Sequence, residues 1–487
     1  MNFLNLFLYT GVLFSLSQGD IHDLVKDIPK EVKKHSSEKL YNETATRSLH
    51  EYLDFDVDPC DDFYSFSCGK WIKTQKKIRE HSNITHFTNS EVNFENFVTE
   101  FEEGKYNDES RIIHTLHKLR EKCKELPEDK IFDCNSQIFN FGKYALSSLF
   151  IRKNRIKSEK NGDYKRIVGT IERIKEEFRL LIDDKKDIFD EETRKHFLHK
   201  LNTMKFERNI DRYELFAVEL MEECYEGIGI NYNDHITNIL KRIEDYKALS
   251  DNNMDNLESC RGLISQSGRH LHFYVYSNVF YDATGNFFTI SSDTLNEPSF
   301  SKDFPNSLNY GYFGYTVANE MLHAFESDNY KSILEGGSKS KFTSSKMSMK
   351  NFEEKSDCFV KQYGIQKESI TNKNVNGLET LSENIADNGV IKIVHRAYMK
   401  WLQSNGGKDL VVPGFENFTN EQLFFISLGR SQCVYTTKNY LGTVIDRSKH
   451  IPALIRTNMA LSNYKPFSNA FKCELNSKMN PEDKCKL

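Results

Sequence analysis

The sequence predicts a mainly α-helical protein with a small β-sheet, and three observations lead to that class. Between residues 101 and 249 the chain is rich in Lys, Glu, Leu and Ile at helical spacing, as in Ile167, Ile171, Ile174, Phe178 and Leu181, with charges between them. At Leu271 the texture changes to LHFYVYSNVFYDATGNFFTIS, two aromatic and β-branched runs separated by Asp282, Ala283, Thr284 and Gly285, which predicts a β-hairpin. Beyond it, helices are expected through residues 307–325, through residues 377–401, and from a cap at Thr419 or Asn420 as far as Cys433.

In chain order, residues 3–16 read FLNLFLYTGVLFSL and are followed by Ser17, Gln18 and Gly19, so small residues flank a cut after Gly19. A signal peptide over residues 1–19 is the expectation, although no Lys or Arg precedes the apolar run. The run is shorter than the roughly 20 apolar residues of a spanning helix, so a membrane anchor is the weaker reading. Residues 20–50 are charged and poor in aromatics and read as a linker or stalk. An N-terminal ordered segment is expected over 51–270 and a second unit over 271–487.

The balance of 66 Lys and Arg against 71 Asp and Glu, net −5, offers no general attraction to nucleic acid or anionic lipid. Ten cysteines in a secretory route allow five disulfides, with buried free thiols as the alternative. Sequons at Asn42, Asn83 and Asn417 agree with that route.

Two strings carry chemistry. In NEMLH, Asn319 and His323 stand one turn apart with Glu320 beside the first, the layout of an HExxH zinc helix whose first histidine is Asn. In LSENIADNGV, Glu383 and Asp387 also lie one turn apart, the pattern of a third metal ligand followed by a carboxylate that orients a ligand. Taken alone, either string also suits a solvated helix surface.

Several separated strings then match one pattern in order: DPCDDFYSFSCGKWI at 58–72, NVFY at 278–281, SLNYGYFGYTVANEMLHAFE at 307–326, NGLETLSENIADNG at 376–389, VPGFENFTNEQLFFISLGRSQC at 412–433, HIPALIR at 450–456 and LSNYKPFSNAFKCELNSKMNPEDKC at 461–485. In these the chain resembles the neprilysin and endothelin-converting-enzyme family of zinc endopeptidases. The resemblance implies a two-lobed fold, with a thermolysin-like catalytic lobe and a helical lobe over its cavity. It makes Glu320 the general base, His323 and Glu383 zinc ligands, Asp387 the orienting carboxylate, and His450 the donor to the developing oxyanion. Arg456 would stand on the S1′ side of the substrate, and Asn278 with Val279 on an edge strand that holds substrate backbone. Disulfides Cys60–Cys473, Cys68–Cys433 and Cys358–Cys485 are implied, with Cys123–Cys134 a fourth candidate, leaving Cys224 with Cys260.

Departures cluster around the metal. Asn319 replaces the first zinc histidine, and an amide oxygen is a poorer zinc donor than imidazole. Ala318, Glu326, Val279 and Ser448 also differ from the family's residues, and residues 73–270 are too few for the full helical lobe, which would be truncated and the cavity more open. The leading expectation is a secreted pseudo-peptidase that binds peptides or a secreted or cell-surface protein. Its zinc site would be one histidine short. The alternative is an active zinc endopeptidase cutting on the amino side of hydrophobic residues. An ordered series of matches argues against a helical scaffold whose histidines and carboxylates are incidental.

Overall fold

The structure, a computed structural model, describes residues 44–208, 216–248, 259–265, 267, 271–276, 278–283, 285–325, 332–334, 341–343 and 344–486. The expected signal peptide, most of the expected stalk, Asn42 and Glu326 lie outside the described residues. Helix begins at Thr44, inside the stretch expected as stalk: Thr44–Tyr52 buries Leu49 and Tyr52 one turn apart. Burying two such side chains contributes roughly 1.5–3 kcal/mol each, which offsets the charge around them.

The helical texture of the middle of the chain is present as Arg111–Cys123, Glu128–Asn161, Asp163–Asp184 and Glu191–Thr203. Asp163–Asp184 carries the expected stripe, with Ile167, Ile171, Ile174 and Phe178 all buried. The long helix before it stops at Gly162, whose left-handed backbone (φ 68°) is cheap only for glycine.

The hairpin lies over the second half of the aromatic run alone. Val279–Asp282 pairs antiparallel with Phe287–Ile290, whereas His272–Val275 is a helical turn. Short apolar runs do not distinguish strand from buried helix by periodicity. Here Tyr274 and Val275 are both buried, and burial on adjacent positions suits a helical turn better than a strand. A third strand, Lys205–Arg208, joins Phe287–Ile290 in parallel, so the segment before residue 270 completes the sheet of the segment after it.

The same crossing recurs in the core, whose main cluster draws on buried residues from Ala45 to Cys485, with a smaller one around Trp71, Phe87 and Tyr435. Helix Phe63–Arg79 packs on helix Asn420–Ser431, and at their contact a Cβ on Gly429 would sit 2.3 Å from Ser67 Oγ. The latter helix starts at the expected Thr419 with a full capping box. Its Arg430, fully buried, donates to Ser48 Oγ at 2.9 Å and so anchors the first helix.

Five disulfides form: Cys60–Cys473, Cys68–Cys433 and Cys358–Cys485, which the resemblance implies, the candidate Cys123–Cys134, and the remaining pair Cys224–Cys260. The first two span 413 and 365 residues, and closing one loop of that size constrains the unfolded chain by about 6 kcal/mol in the chain-entropy model, the second, nested inside the first, adding to it less than its own full share.

Candidate active site

Three helices bring the sequence-selected residues together. The expected helix over 307–325 forms as a short turn, a wide π segment Tyr310–Gly314, and then Tyr315–His323 with Asn319, Glu320 and His323. Against it packs Leu381–Ser404, which carries Glu383 and Asp387 and starts four residues later than expected, after Thr380. The third, Ala453–Ser462, presents Arg456, with His450 just before it.

Asp387, 1% exposed, is the hub. Arg456 grips it with two bonds, Nε to Oδ2 at 2.6 Å and Nη2 to Oδ1 at 2.7 Å, and Tyr315 Oη donates to Oδ1 at 2.8 Å. Burying a carboxylate without partners of this kind is costly. Asn319 turns its amide nitrogen toward the same Oδ1 at 3.5 Å. Tyr315 was not singled out from the sequence, yet it sits one turn before Asn319, and that spacing is the signal that could have found it.

Glu383 lies where three cationic or titratable groups meet. Its Oε2 is 3.1 Å from His450 Nδ1, 3.8 Å from Arg456 Nη2 and 4.0 Å from His323 Nε2. These are ion-pair contacts rather than aligned hydrogen bonds, since that oxygen has no bond partner of good geometry among the described residues. Burial pushes the Glu383 carboxyl up, but the contact with His450 and the charges of His450, Arg456 and His323 outweigh it, holding the group below the usual carboxylate range.

Glu320 behaves in the opposite sense. Burial raises its carboxyl above the usual range, against the pull of His323 and of a backbone donor. That donor is Tyr281 N–H, 3.1 Å from Glu320 Oε2. Asn278 and Val279 stand at the start of this edge strand as expected, but the Asn278 side chain is turned onto its own strand, with Oδ1 accepting from Val279 N–H at 2.9 Å. The Asn278 main chain is also taken up, by Ser291 and Thr294.

The donor set can be tested against zinc on these positions. His323 Nε2 and Glu383 Oε2 approach within 4.0 Å, which supplies two ligands. Among the described residues no group of three His, Cys, Asp or Glu is arranged to hold a metal ion: His450 meets Glu383 Oε2 as an ion-pair contact beside Arg456, and Asn319 points its amide nitrogen, a donor, at Asp387. Zinc sites of this kind use three protein ligands plus an open position. The residues present do not fit that requirement.

Residues 278–487 match the family profile described as Peptidase family M13. Over those residues the chain carries an M13 peptidase domain. It is 30% identical over 360 residues to Neprilysin-1 of Caenorhabditis elegans, covering 72% of this chain and 45% of that protein. To endothelin-converting enzyme 1 of Rattus norvegicus it is 31% identical over 322 residues, 63% of this chain and 41% of that one. The chain therefore spans less than half the length of these curated relatives. In fold it is similar to a zinc metalloprotease of Mycobacterium tuberculosis solved with an inhibitor, at TM-score 0.51 and 18% identity over 74% of this chain and 52% of that one. The M13 peptidases are zinc-dependent, which makes Asn319 in this M13 domain the point of departure for function.

Proposed function

We propose that this M13 protein is a pseudo-peptidase that binds a peptide or a protein partner without cutting it. The observation that carries the reading is the donor set: two metal-ligating side chains, His323 and Glu383, beside an asparagine engaged with Asp387. Without a held cation, Glu320 has no polarised water to deprotonate, and its carboxylate is occupied by Tyr281 N–H. Arg456 supplies positive charge to the two carboxylates of the site, and His450 Nδ1 lies 3.1 Å from Glu383. A partner would approach along the hairpin and the open face of His450, whose side chain is 56% exposed.

Secretion is part of the proposal, supported by the apolar run 3–16 and by five disulfides with no free cysteine among the described residues. Among the described residues no helix is long and apolar enough to cross a membrane.

One observation favours the active alternative: His323 and Glu383 are close enough to share an ion, with Glu320 and His450 still present. A quenched fluorescent peptide with a hydrophobic residue after the scissile bond separates the two readings. The expected result is no chelator-sensitive cleavage with zinc supplied; cleavage abolished by Glu320→Gln would establish the alternative.

A further inference from the structure

Lys200 lies fully buried in the last turn of helix Glu191–Thr203, beside the candidate site but outside the residues that build it. Its Nζ donates to Ala324 O at 2.8 Å, the carbonyl at the C-terminal cap of the NEMLH helix, Tyr315–His323. Such a helix end carries unpaired carbonyls and the negative pole of the helix dipole, so it favours a cation. The rings of Tyr281 and Phe325 lie 5.8 and 5.7 Å from the ammonium. Among the described residues no carboxylate stands within ion-pair distance of it, and burial lowers it from the usual lysine range to about 8. Burying an ammonium is costly, and what this one gains is its hold on one helix end.

The main chain of the same residue reaches the hairpin. Lys200 O, left without a helical partner at the end of its own helix, accepts from Asn286 Nδ2 at 2.9 Å. Asn286 Oδ1 accepts from Tyr281 Oη at 2.9 Å, and the Tyr281 N–H donates to Glu320 Oε2 at 3.1 Å. Asn286 is buried with a left-handed backbone (φ 50°), a conformation that asparagine tolerates. The circuit is closed: from the Lys200 side chain along the NEMLH helix to Glu320, across to Tyr281, and back through Asn286 to the Lys200 main chain.

We propose that Lys200 is a positioning residue that sets the gap between the NEMLH helix and the edge strand Val279–Asp282, and so holds the Tyr281 amide against Glu320. The inference rests on the peptide-binding reading of this site and deepens it, since it names the residue that keeps the hairpin edge closed to a partner.

The test is hydrogen exchange of the full chain at single-residue resolution. Lys200→Met, which keeps the length and the apolar stem and removes the ammonium, is expected to speed exchange at Tyr281 about tenfold, while the amides of helix Asn420–Ser431 exchange as in the natural chain. A residue that merely fills space would leave Tyr281 unmoved, because methionine fills the same space. The deciding comparison is a double-mutant cycle with Glu320→Ala: once the carboxylate is gone, Lys200→Met is expected to add no further acceleration at Tyr281. Tyr281→Phe, which opens the circuit at Asn286 without touching a buried charge, is expected to give a similar acceleration at position 281 and takes the place of Lys200→Met should that variant not fold. Unchanged exchange at position 281, equal acceleration there and in Asn420–Ser431, or an acceleration that persists in full in the Glu320→Ala background would each overturn the proposal. The measurement uses no peptide, so a chain that binds none would overturn the reading of the site and leave these exchange rates as they are.

Discussion

The main-chain N–H of Tyr281 donates to Glu320 Oε2 at 3.1 Å, joining the outer edge of the hairpin to the residue that resemblance makes the general base. Amides alternate along an edge strand between the ladder and the outside. In Val279–Asp282 the two outward amides are those of Val279 and Tyr281, and both are occupied, the first by Asn278 Oδ1 at 2.9 Å. A peptide adding a strand here must first displace a side chain from each. The edge that would hold a substrate is closed by Asn278 and by the residue that the resemblance makes the general base.

Removing the carboxylate is expected to free that edge. In Glu320→Ala the Tyr281 amide should exchange with solvent deuterium about tenfold faster, while the Phe280 amide, turned to the ladder, stays protected. Hydrogen exchange with mass spectrometry at single-residue resolution checks it; unchanged exchange at Tyr281 would mean that the bond does not close the edge.

Arg456 is expected to be a keystone of stability. In Arg456→Ala the buried Asp387 keeps a single short hydrogen bond, from Tyr315 at 2.8 Å, and the loss should be about 3–5 kcal/mol. Tyr315→Phe removes one donor and should cost about 1–3 kcal/mol. Urea denaturation of the two variants beside the natural chain gives both numbers, and Arg456 should be clearly the more costly.

A second buried acid sets a pH dependence away from the site. Asp293 is fully buried, takes hydrogen bonds from Asn296 and Asn93, and its carboxyl is pushed by burial up to about 7 from 3.8. The folded state therefore holds its proton at pH values where the unfolded state has lost it. Its contribution to stability is fully present below about pH 4 and is lost as pH rises through about 7. Asp293→Asn should gain on the natural chain across that window by on the order of 4 kcal/mol. Denaturation midpoints at pH 4 and pH 8 measure it; a constant difference between the two proteins would contradict the assignment.

The π segment places the NEMLH helix by close approach. A Cβ on Gly311 would lie 2.3 Å from Phe424 O in the helix Asn420–Ser431, so Gly311→Ala must push two helices apart. The expected cost is about 1–3 kcal/mol, read from thermal unfolding.

Much of this arrangement was legible in the sequence, for particular reasons. The site strings are local, so spacing alone put Asn319 with His323 and Glu383 with Asp387 on common faces. Thr419 was legible as a cap because its capping box uses residues three apart. What stayed hidden is non-local: the strand Lys205–Arg208 meets its partner across a separation that no periodicity reports, and the Tyr281 bond to Glu320 uses a backbone amide, which carries no residue signature. The helical turn His272–Val275 was missed because an aromatic run looks alike in strand and buried helix.

The most direct test of the central claim is the zinc content of the chain, expressed through a secretory route, purified without chelator and equilibrated with zinc, measured by elemental mass spectrometry beside an Asn319→His variant. A donor set one imidazole short predicts near-zero zinc in the natural chain and about one per chain in the variant. About one zinc in both would contradict it and make peptide cleavage the next question.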